Sequence, residues 1–451
     1  MSEPYTDIRI LIGRQSEDGS YPLRAELDDG SVFDGGALRL QMEELLAAVL
    51  DPKEYGLDLF DALFSGPIRR AYDKVSGRAE AETQGRVRVR LWIDDGAAEL
   101  NAVPWERIYH IHRGREVALA ASVLTPFSRY TGLELREGEM VTERPVRLLF
   151  AISNPSDLPP NLAPIDVERE VRDLHKALGN LQQAGQVEIT ILPGRTGLSP
   201  ELHARLERDD YRIKPGATTL TTVLEQLSDC HIFHFLGHGH FERRDSQGEG
   251  VTHLHLEQAD GTWVATADGV VVDGVARMER PPHLVFLAAC ESAKRETEAE
   301  NAFVGLGPKL VKVGVPAVVA MQDLLPMEMA GDLTDRFYSE LLEHGVVDRA
   351  LNAARHALFD AERIAWAIPV LFMRLRAGEL FAPDPVRTAL QAILERYETD
   401  RPPLSVEVTR MVGLQETVQL GQIGQGSMPS LDLVQAVQNI FDEAQQAPSQ
   451  G

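Results

Sequence analysis

The chain has 451 residues, of which 43% are hydrophobic, 25% charged and 6% aromatic, a composition that excludes wholesale disorder and favours two or three globular domains. Its 69 acidic and 45 basic side chains give a formal net charge of -24, which excludes a broad surface for nucleic acid or anionic lipid, since both are bound chiefly by lysine and arginine. The only two cysteines, Cys230 and Cys290, exclude a disulfide framework.

The sequence also lacks the patterns that mark membrane insertion or secretion. No apolar run approaches the ~20 residues that a membrane-spanning helix needs. The first residues contain neither a basic stretch nor a long apolar stretch, so no secretory signal is visible. We therefore expect a protein of the reducing cytoplasm.

The N-terminal part mixes helix and strand patterns. Apolar residues over 38–50 have the spacing of an amphipathic helix, and residues 86–93 (RVRVRLWI) alternate as a half-buried strand does. The polar stretch after residue 134 is typical of a linker.

From residue 146 the pattern changes to apolar strands that alternate with helices, which indicates a parallel sheet covered on both faces. The predicted strands are 146–152, 187–192, 231–236, 283–289, 315–321 and 369–375, and the clearest helices are 164–180 and 219–229. Residues 237–282 read as a hairpin excursion with strand-like pieces THLHLE and GVVVDGV, and the chain beyond 382 reads as helical and flexible.

Two strand ends carry residues suited to nucleophilic catalysis. The strand HIFHFL runs directly into GHGHF, which places His238 and Gly239 just past its carboxyl end, and the strand HLVFLAA runs into Cys290. Sites in parallel sheets form outside the carboxyl ends of the strands. If these two strands are neighbours, the imidazole of His238 can take the proton of the Cys290 thiol and later protonate a leaving amine.

These motifs together resemble those of the CHAT family of caspase-like cysteine peptidases. The resemblance rests on HFLGHGHF, FLAACES, VPAVVAM and DRFYSELLEHGVVDRALNAARHAL, with a similar upstream region from LWIDDG to FSRY, and covers about residues 85–380. It implies that His238 rather than His240 is the general base, that Cys290 is the nucleophile, and that the backbone N–H groups of Gly239 and Cys290 form the oxyanion hole. Asp323, just past VPAVVAM, is a candidate substrate-binding residue that would favour a basic P1 side chain.

The resemblance also implies the architecture. We expect an α/β protein with a caspase-like, mostly parallel sheet that carries helices on both faces, preceded by a smaller pseudo-protease-like α/β subdomain. The expected domains are a non-catalytic subdomain over 1–140, a catalytic domain over 143–382 and a C-terminal helical or flexible appendage over 383–451.

The implied activity is that of a cysteine endopeptidase that needs no metal or organic cofactor. Members of the family cleave a dedicated protein partner, such as a gasdermin or a signalling protein, in bacterial antiviral or cell-death pathways. A sensor subunit or self-association is the expected activator, and no direct contact with nucleic acid or membrane is expected.

Three alternatives stay open. Cys290 is a buried small hydrophobe if its strand end is only structural. The chain is a catalytically silent scaffold if the fold is kept without turnover. It is a metal-dependent hydrolase if the histidine cluster, with His238 and His240 two positions apart and His253 and His255 downstream, binds zinc, although no HExxH or CxxC motif accompanies it.

Overall fold

A β-sheet of 14 strands runs through the part of the chain that the structure describes. This computed structural model describes residues 5–40, 51–112, 114–130, 138, 140–160, 162–243, 250–289, 302–360 and 364–382. The strands of the large sheet are β1 Thr6–Ile12, β2 Tyr21–Leu27, β3 Val32–Leu38, β4 Val87–Ile93, β7 Phe127–Tyr130, β8 Val146–Ile152, β9 Val187–Leu192, β10 Arg212–Ile213, β11 Ile232–Arg243, β12 Gly250–Glu257, β13 Trp263–Ala267, β14 Leu284–Ala289, β15 Ala317–Met321 and β16 Pro369–Met373. A separate hairpin contains β5 Tyr109–His112 and β6 Arg115–Ala118.

Helices connect these strands and cover the sheet. They are α1 Pro52–Leu63, α2 Gly66–Glu82, α3 Val167–Gln183, α4 Pro200–Arg208, α5 Leu220–Leu227, α6 Asp268–Ala276, α7 Ala302–Lys312, α8 Met327–His344 and α9 Val347–Ala357. Short 3-10 segments occur at Asp95–Ala102, Trp105–Arg107, Leu119–Ala121 and Ala365–Ala367. None of the helices within the described ranges is long and apolar enough to cross a bilayer.

The sheet contains two sets of parallel strands that run in opposite directions. Its order is β10-β9-β8-β11-β14-β15-β16-β7-β4-β1-β2-β3, and β12 and β13 extend from β11. The strands β10 to β15 along this path are parallel to one another, β16 is antiparallel to β15, and β7, β4 and β1 are parallel to β16. The carboxyl ends of β8, β11, β14 and β15 therefore lie at one edge, opposite to those of β4 and β7.

Side chains alternate between two cores along the strands, as the pleat requires. In β11, Ile232 and Leu236 join the core that contains α3, α8 and α9, whereas Phe233 and Phe235 join the core that contains α5, α6 and α7. Helices therefore cover both faces of the sheet, and the predicted α/β class with a mostly parallel sheet is confirmed.

The two predicted halves share buried polar contacts at their junction. Arg355 of α9 is fully buried and donates hydrogen bonds to the carbonyl oxygens of Phe127 and Pro369. Arg88 of β4 forms a buried ion pair of 2.7 Å with Asp348 of α9. Because β7 also pairs with both β16 and β4, the sheet is continuous across the junction.

Two sequence-based element predictions are wrong. The segment GVVVDGV belongs to α6 rather than to a strand, since its buried residues Val271 and Val275 are four apart, the spacing of a helix. Leu38 ends β3 and is buried there, so the predicted helix over 38–50 does not begin at this residue, and 41–50 lie outside the described residues. The predicted appendage over 383–451 also lies outside them.

Candidate active site

The carboxyl ends of β11 and β14 lie side by side at one edge of the sheet. Their parallel register pairs Gly237 with Ala289. The residue that follows Gly237 in the chain is His238, and the residue that follows Ala289 is Cys290. Cys290, the predicted nucleophile, and residues 291–301 lie outside the described residues. The neighbouring position of the two strands, on which the catalytic prediction depends, is present.

The strand that carries His238 is longer than the sequence predicts. It leaves the main sheet after Gly237 and continues to Arg243 as the partner of β12, so His238 lies within β11 rather than past its end. The register places His238 opposite His255 and Gly239 opposite Leu254. The antiparallel partner β12 gives the backbone of GHGHF new hydrogen-bonding groups, which explains why the strand does not stop.

His238 is held as a neutral imidazole with a defined proton position. Its side chain is only 2% exposed, and its Nε2 lies 3.1 Å from the carbonyl oxygen of Ala163. Since a carbonyl oxygen can only accept, Nε2 carries the proton and Nδ1 keeps its lone pair. Burial lowers the pKa of His238 below its usual value, and the hydrogen bond to Ala163 opposes part of that effect. A base is therefore available at Nδ1 at neutral pH.

The segment that carries Ala163 is fixed by Asn154, which follows β8. The side-chain amide of Asn154 donates to the carbonyl oxygen of Ile165 at 3.1 Å, and its Oδ1 accepts from the backbone N–H of Ile165 at 2.8 Å. Asn154 is 8% exposed. These two bonds hold the backbone two residues beyond Ala163, so Asn154 acts on His238 through that segment.

Glu257, the last residue of β12, connects three loops at this edge of the sheet. Its carboxylate is 1% exposed and accepts hydrogen bonds from the backbone N–H groups of Asn154 at 3.2 Å, Arg195 at 2.8 Å and Thr218 at 2.7 Å. Gly194 leaves room for it, because a Cβ there would lie 2.5 Å from a Glu257 carboxylate oxygen. Sequence reasoning missed Glu257 and Asn154; the only available signal was an acidic residue at the end of an apolar strand.

The histidines of β11 and β12 contact one another. His240 Nδ1 and His255 Nε2 are 2.8 Å apart, and the rings of His240 and His253 stack at 4.8 Å. His253 Nε2 lies 3.2 Å from a carboxylate oxygen of Glu242, and burial lowers the pKa of His255 to about 4. Within the described ranges, no group of three or more potential ligands has an arrangement that could hold a metal ion.

An apolar pocket opens on the face of the sheet to which His238 belongs. By strand alternation, His234, Leu236 and His238 share the face covered by α3 and α8. His234 and Leu236 line the pocket together with Phe150, Glu170, Asp173, Leu174, Phe286, Ala288, Met321, Leu325, Ala330, Gly331, Leu333 and Thr334. The pocket therefore has an apolar floor, and α3 contributes its two carboxylates.

Asp323 lies outside this pocket. It lines a separate cavity next to β15, and its carboxylate accepts a hydrogen bond from the backbone N–H of Leu324 at 2.7 Å. Asp323 and His238 are thus placed at the same edge of the sheet, and His238 is not among the residues that line the cavity of Asp323.

Cys230 has the properties of an inert thiol. Burial raises its pKa to about 12, and its Sγ lies 3.5 Å from the carbonyl oxygen of Leu227. A thiol with this pKa is protonated at neutral pH and is a poor nucleophile.

Solved structures of two kinds of protein are similar to this chain at low sequence identity. Two structures of the separase–securin complex of Saccharomyces cerevisiae match with 12% and 14% identity and TM-scores of 0.36 and 0.33, and each match covers 74% of this chain. These matches cover 20% and 18% of the other chain, so this chain spans about a fifth of its length. A complex of the RgpB pro- and mature domains of Porphyromonas gingivalis matches with 13% identity and a TM-score of 0.36, covering 76% of this chain and 78% of that chain.

No curated protein matches the chain. The family model of the CHAT domain, however, matches residues 53–401, which is most of the sequence. The chain therefore belongs to the CHAT domain family, the caspase-like peptidase family that its motifs resemble.

Proposed function

We propose that this chain is a cysteine endopeptidase in which Cys290 is the nucleophile and His238 the general base. The observation that carries the proposal is His238 itself, a buried neutral imidazole whose Nε2 is bound to Ala163 and whose Nδ1 is left to accept a proton. The pairing of Gly237 with Ala289 supports it, since Cys290 is next in the chain.

The proposed chemistry is peptide hydrolysis through a thioester. His238 Nδ1 takes the proton of the Cys290 thiol, and the sulfur attacks the carbonyl carbon of the scissile peptide bond. The C–N bond of the tetrahedral intermediate then breaks, and the leaving amine takes the proton from His238. Water, deprotonated by the same imidazole, hydrolyses the thioester and releases the thiol.

The proposed oxyanion hole consists of the backbone N–H groups of Gly239 and Cys290. Such donors stabilise the negative charge that develops on the carbonyl oxygen, an effect of about 3 kcal/mol per donor in other peptidases. Gly239 is partly exposed and directly follows His238 in the chain.

The apolar pocket between α3 and α8 is the proposed site for a substrate side chain. Its floor of Leu236, Phe286 and Leu333 suits an aliphatic or aromatic group, which is desolvated on entry. The pocket contacts the same strand face as His238 and is therefore placed to orient a peptide toward that residue.

The resemblance extends the proposal to a biological setting. We propose a dedicated protein partner as substrate, for example a gasdermin or a signalling protein, in a bacterial antiviral or cell-death pathway in the cytoplasm. Activation would come from a sensor subunit or from self-association.

The test is cleavage of proteins encoded next to this chain, read by mass spectrometry of new termini. We expect new termini with the wild-type chain and none with Cys290→Ala or His238→Ala. Cys230→Ala is the matched control and should leave the cleavage unchanged, because its buried thiol has no role in the mechanism.

Three results would contradict the proposal. Cleavage that persists in Cys290→Ala would exclude this residue as nucleophile. Cleavage abolished by a chelator and restored by zinc would favour a metal-dependent hydrolase. A biological output that Cys290→Ala still supports would favour a scaffold.

A further inference from the structure

A second cavity lies where the N-terminal half of the chain meets the end of β15. It has a volume of about 160 Å³. Ala102, Pro104 and Arg107 line it from the N-terminal half, and Gln322, Asp323, Ala367 and Ile368 line it from the other half. The cavity thus contains one cation and one anion, contributed by segments far apart in the sequence.

The guanidinium of Arg107 has no hydrogen-bond acceptor among the described residues. Its Nε is buried without a partner, and its guanidinium carbon lies over the ring of Tyr55, 5.8 Å from the ring centroid. A guanidinium offers five N–H donors, and leaving buried donors unpaired costs free energy. Arg107 is therefore placed to bind an acceptor that none of the described residues supplies.

The neighbouring carboxylates are occupied by other donors. Glu106 accepts from Arg129 Nε at 3.0 Å and from Arg129 Nη2 at 2.6 Å, a buried bidentate pair. Asp323 accepts from the N–H of Leu324, and no ion pair within 4.0 Å joins it to Arg107 in the part of the chain described. The charges of Arg107 and Asp323 thus face one cavity without a direct ion pair, at a separation over which they still attract each other.

We propose that this cavity binds an acidic residue of the polypeptide substrate, with the side-chain carboxylate on Arg107 and a peptide N–H on Asp323. A carboxylate matches the planar donor fork of arginine, and an adjacent N–H matches the carboxylate of Asp323. A ligand with both groups fits the cavity better than a fully ionised phosphate, which has no N–H donor to offset the charge of Asp323.

The cavity is placed to contact a peptide at the strand ends. The register pairs Leu287 of β14 with Ala320 of β15, so Asp323 follows Ala320 by as many residues as Cys290 follows Leu287. The inference rests on the proposed peptidase function and names a second substrate contact, separate from the apolar pocket next to His238.

The test measures binding directly at Arg107 in the full chain labelled with ¹⁵N-arginine. The Nε–Hε signal of Arg107 is identified by its loss in Arg107→Lys, and the probes are N-acetylglutamate N-methylamide, its glutamine counterpart and acetate. We expect the glutamate probe to shift this signal with a half-saturation concentration about fivefold or more below that of either other probe.

The variants separate this inference from the peptidase proposal. Arg70→Gln, which removes an exposed arginine of α2, should leave the preference for glutamate unchanged, whereas Arg107→Gln should abolish it when binding is read from the probe signals. Cys290→Ala should bind as the wild type does, so an inactive enzyme leaves the result readable.

Three outcomes would overturn the inference. An Arg107 signal that does not respond to the glutamate probe, or responds equally to the glutamine probe, would exclude carboxylate recognition. Acetate that binds as tightly as the glutamate probe would show a site for small free carboxylates rather than for the polypeptide.

Discussion

Burial has opposite consequences for the two reactive side chains whose surroundings are described. For His238, burial lowers the pKa and keeps the imidazole neutral, which is the form that accepts a proton. For Cys230, burial raises the pKa to about 12 and keeps the thiol protonated, which is the unreactive form. Desolvation therefore keeps His238 in its basic form and keeps Cys230 as an unreactive thiol.

His234 should make the stability of the fold depend on pH. It is fully buried, its Nδ1 lies 3.1 Å from the hydroxyl oxygen of Tyr338, and burial lowers its pKa to about 3. In the unfolded chain a histidine has a pKa of about 6.5, so the contribution of neutral His234 is fully present above that pH and is lost as the pH falls.

We therefore predict that the wild type loses about 2 kcal/mol more unfolding free energy between about pH 7 and pH 5 than His234→Gln does. Glutamine does not titrate and can still bind the Tyr338 hydroxyl. Urea unfolding at the two pH values measures the difference. Equal losses in the two proteins would contradict the prediction, because they would show that His234 takes up protons equally in the folded and unfolded states.

At the scale of elements, Asn154 links the end of β8 to the segment that binds His238. Asn154→Ala should reduce kcat by about tenfold with KM little changed, because the carbonyl of Ala163 is no longer held against Nε2. Steady-state kinetics on an identified substrate measures the effect. Asn101→Ala, which removes a surface amide bound to the carbonyl of Ala98, is the control and should retain wild-type kcat.

Glu257 and Glu242 lie on the two strands of one hairpin and form a matched pair of variants. Glu257→Gln should lower the unfolding free energy by about 2–3 kcal/mol, because an amide nitrogen replaces one of the two accepting oxygens and places N–H donors against backbone N–H groups that need an acceptor. Glu242→Gln should change it by less than about 0.5 kcal/mol, since that exposed side chain contacts only His253 among the residues described. Thermal or urea unfolding that places the two variants together would contradict this role of Glu257.

The sequence predicts the strands around the site well and the connections between them less well. The predicted strands 146–152 and 187–192 coincide with β8 and β9. β8 is buried from Leu148 to Ile152, as a strand covered on both faces is, whereas β9 has half-buried positions at Glu188 and Thr190. The extension of β11 past Gly237 was missed, since its partner β12 is not visible in the local pattern. Glycines in GHGHF indicate a turn unless a second strand is known to lie beside them.

At the scale of the molecule, the opposed directions of the two strand sets decide which segments reach the site. The carboxyl ends of β4 and β7 lie at the edge of the sheet opposite to the candidate active site. The N-terminal half therefore contributes to the edge with the site through Pro104 and Arg107, which follow the 3-10 segment Asp95–Ala102. No sequence motif indicates that Arg107 and Asp323 line one cavity, because they are 216 positions apart in the chain, as are the hydrogen-bonded Glu106 and Gln322. Contacts of this kind require the tertiary structure.

The ion pair between Arg88 and Asp348 should hold the two halves together. Asp348→Ala should lower the unfolding free energy by about 3–5 kcal/mol, because it leaves Arg88 buried and unpaired. The double variant Arg88→Met with Asp348→Leu should recover much of that loss, and calorimetry should show one transition for the wild type because the sheet is continuous. A single variant as stable as the wild type would contradict the role of the pair.

The most direct test of the central claim compares the alkylation rates of the two cysteines by iodoacetamide, followed by mass spectrometry of the two peptides. Cys230 is the internal reference, since burial raises its pKa to about 12. If His238 deprotonates Cys290, Cys290 should react at least about tenfold faster than Cys230 in the wild type and should slow to a similar extent in His238→Ala. Equal, slow labelling of Cys290 in the wild type and in His238→Ala would contradict the account.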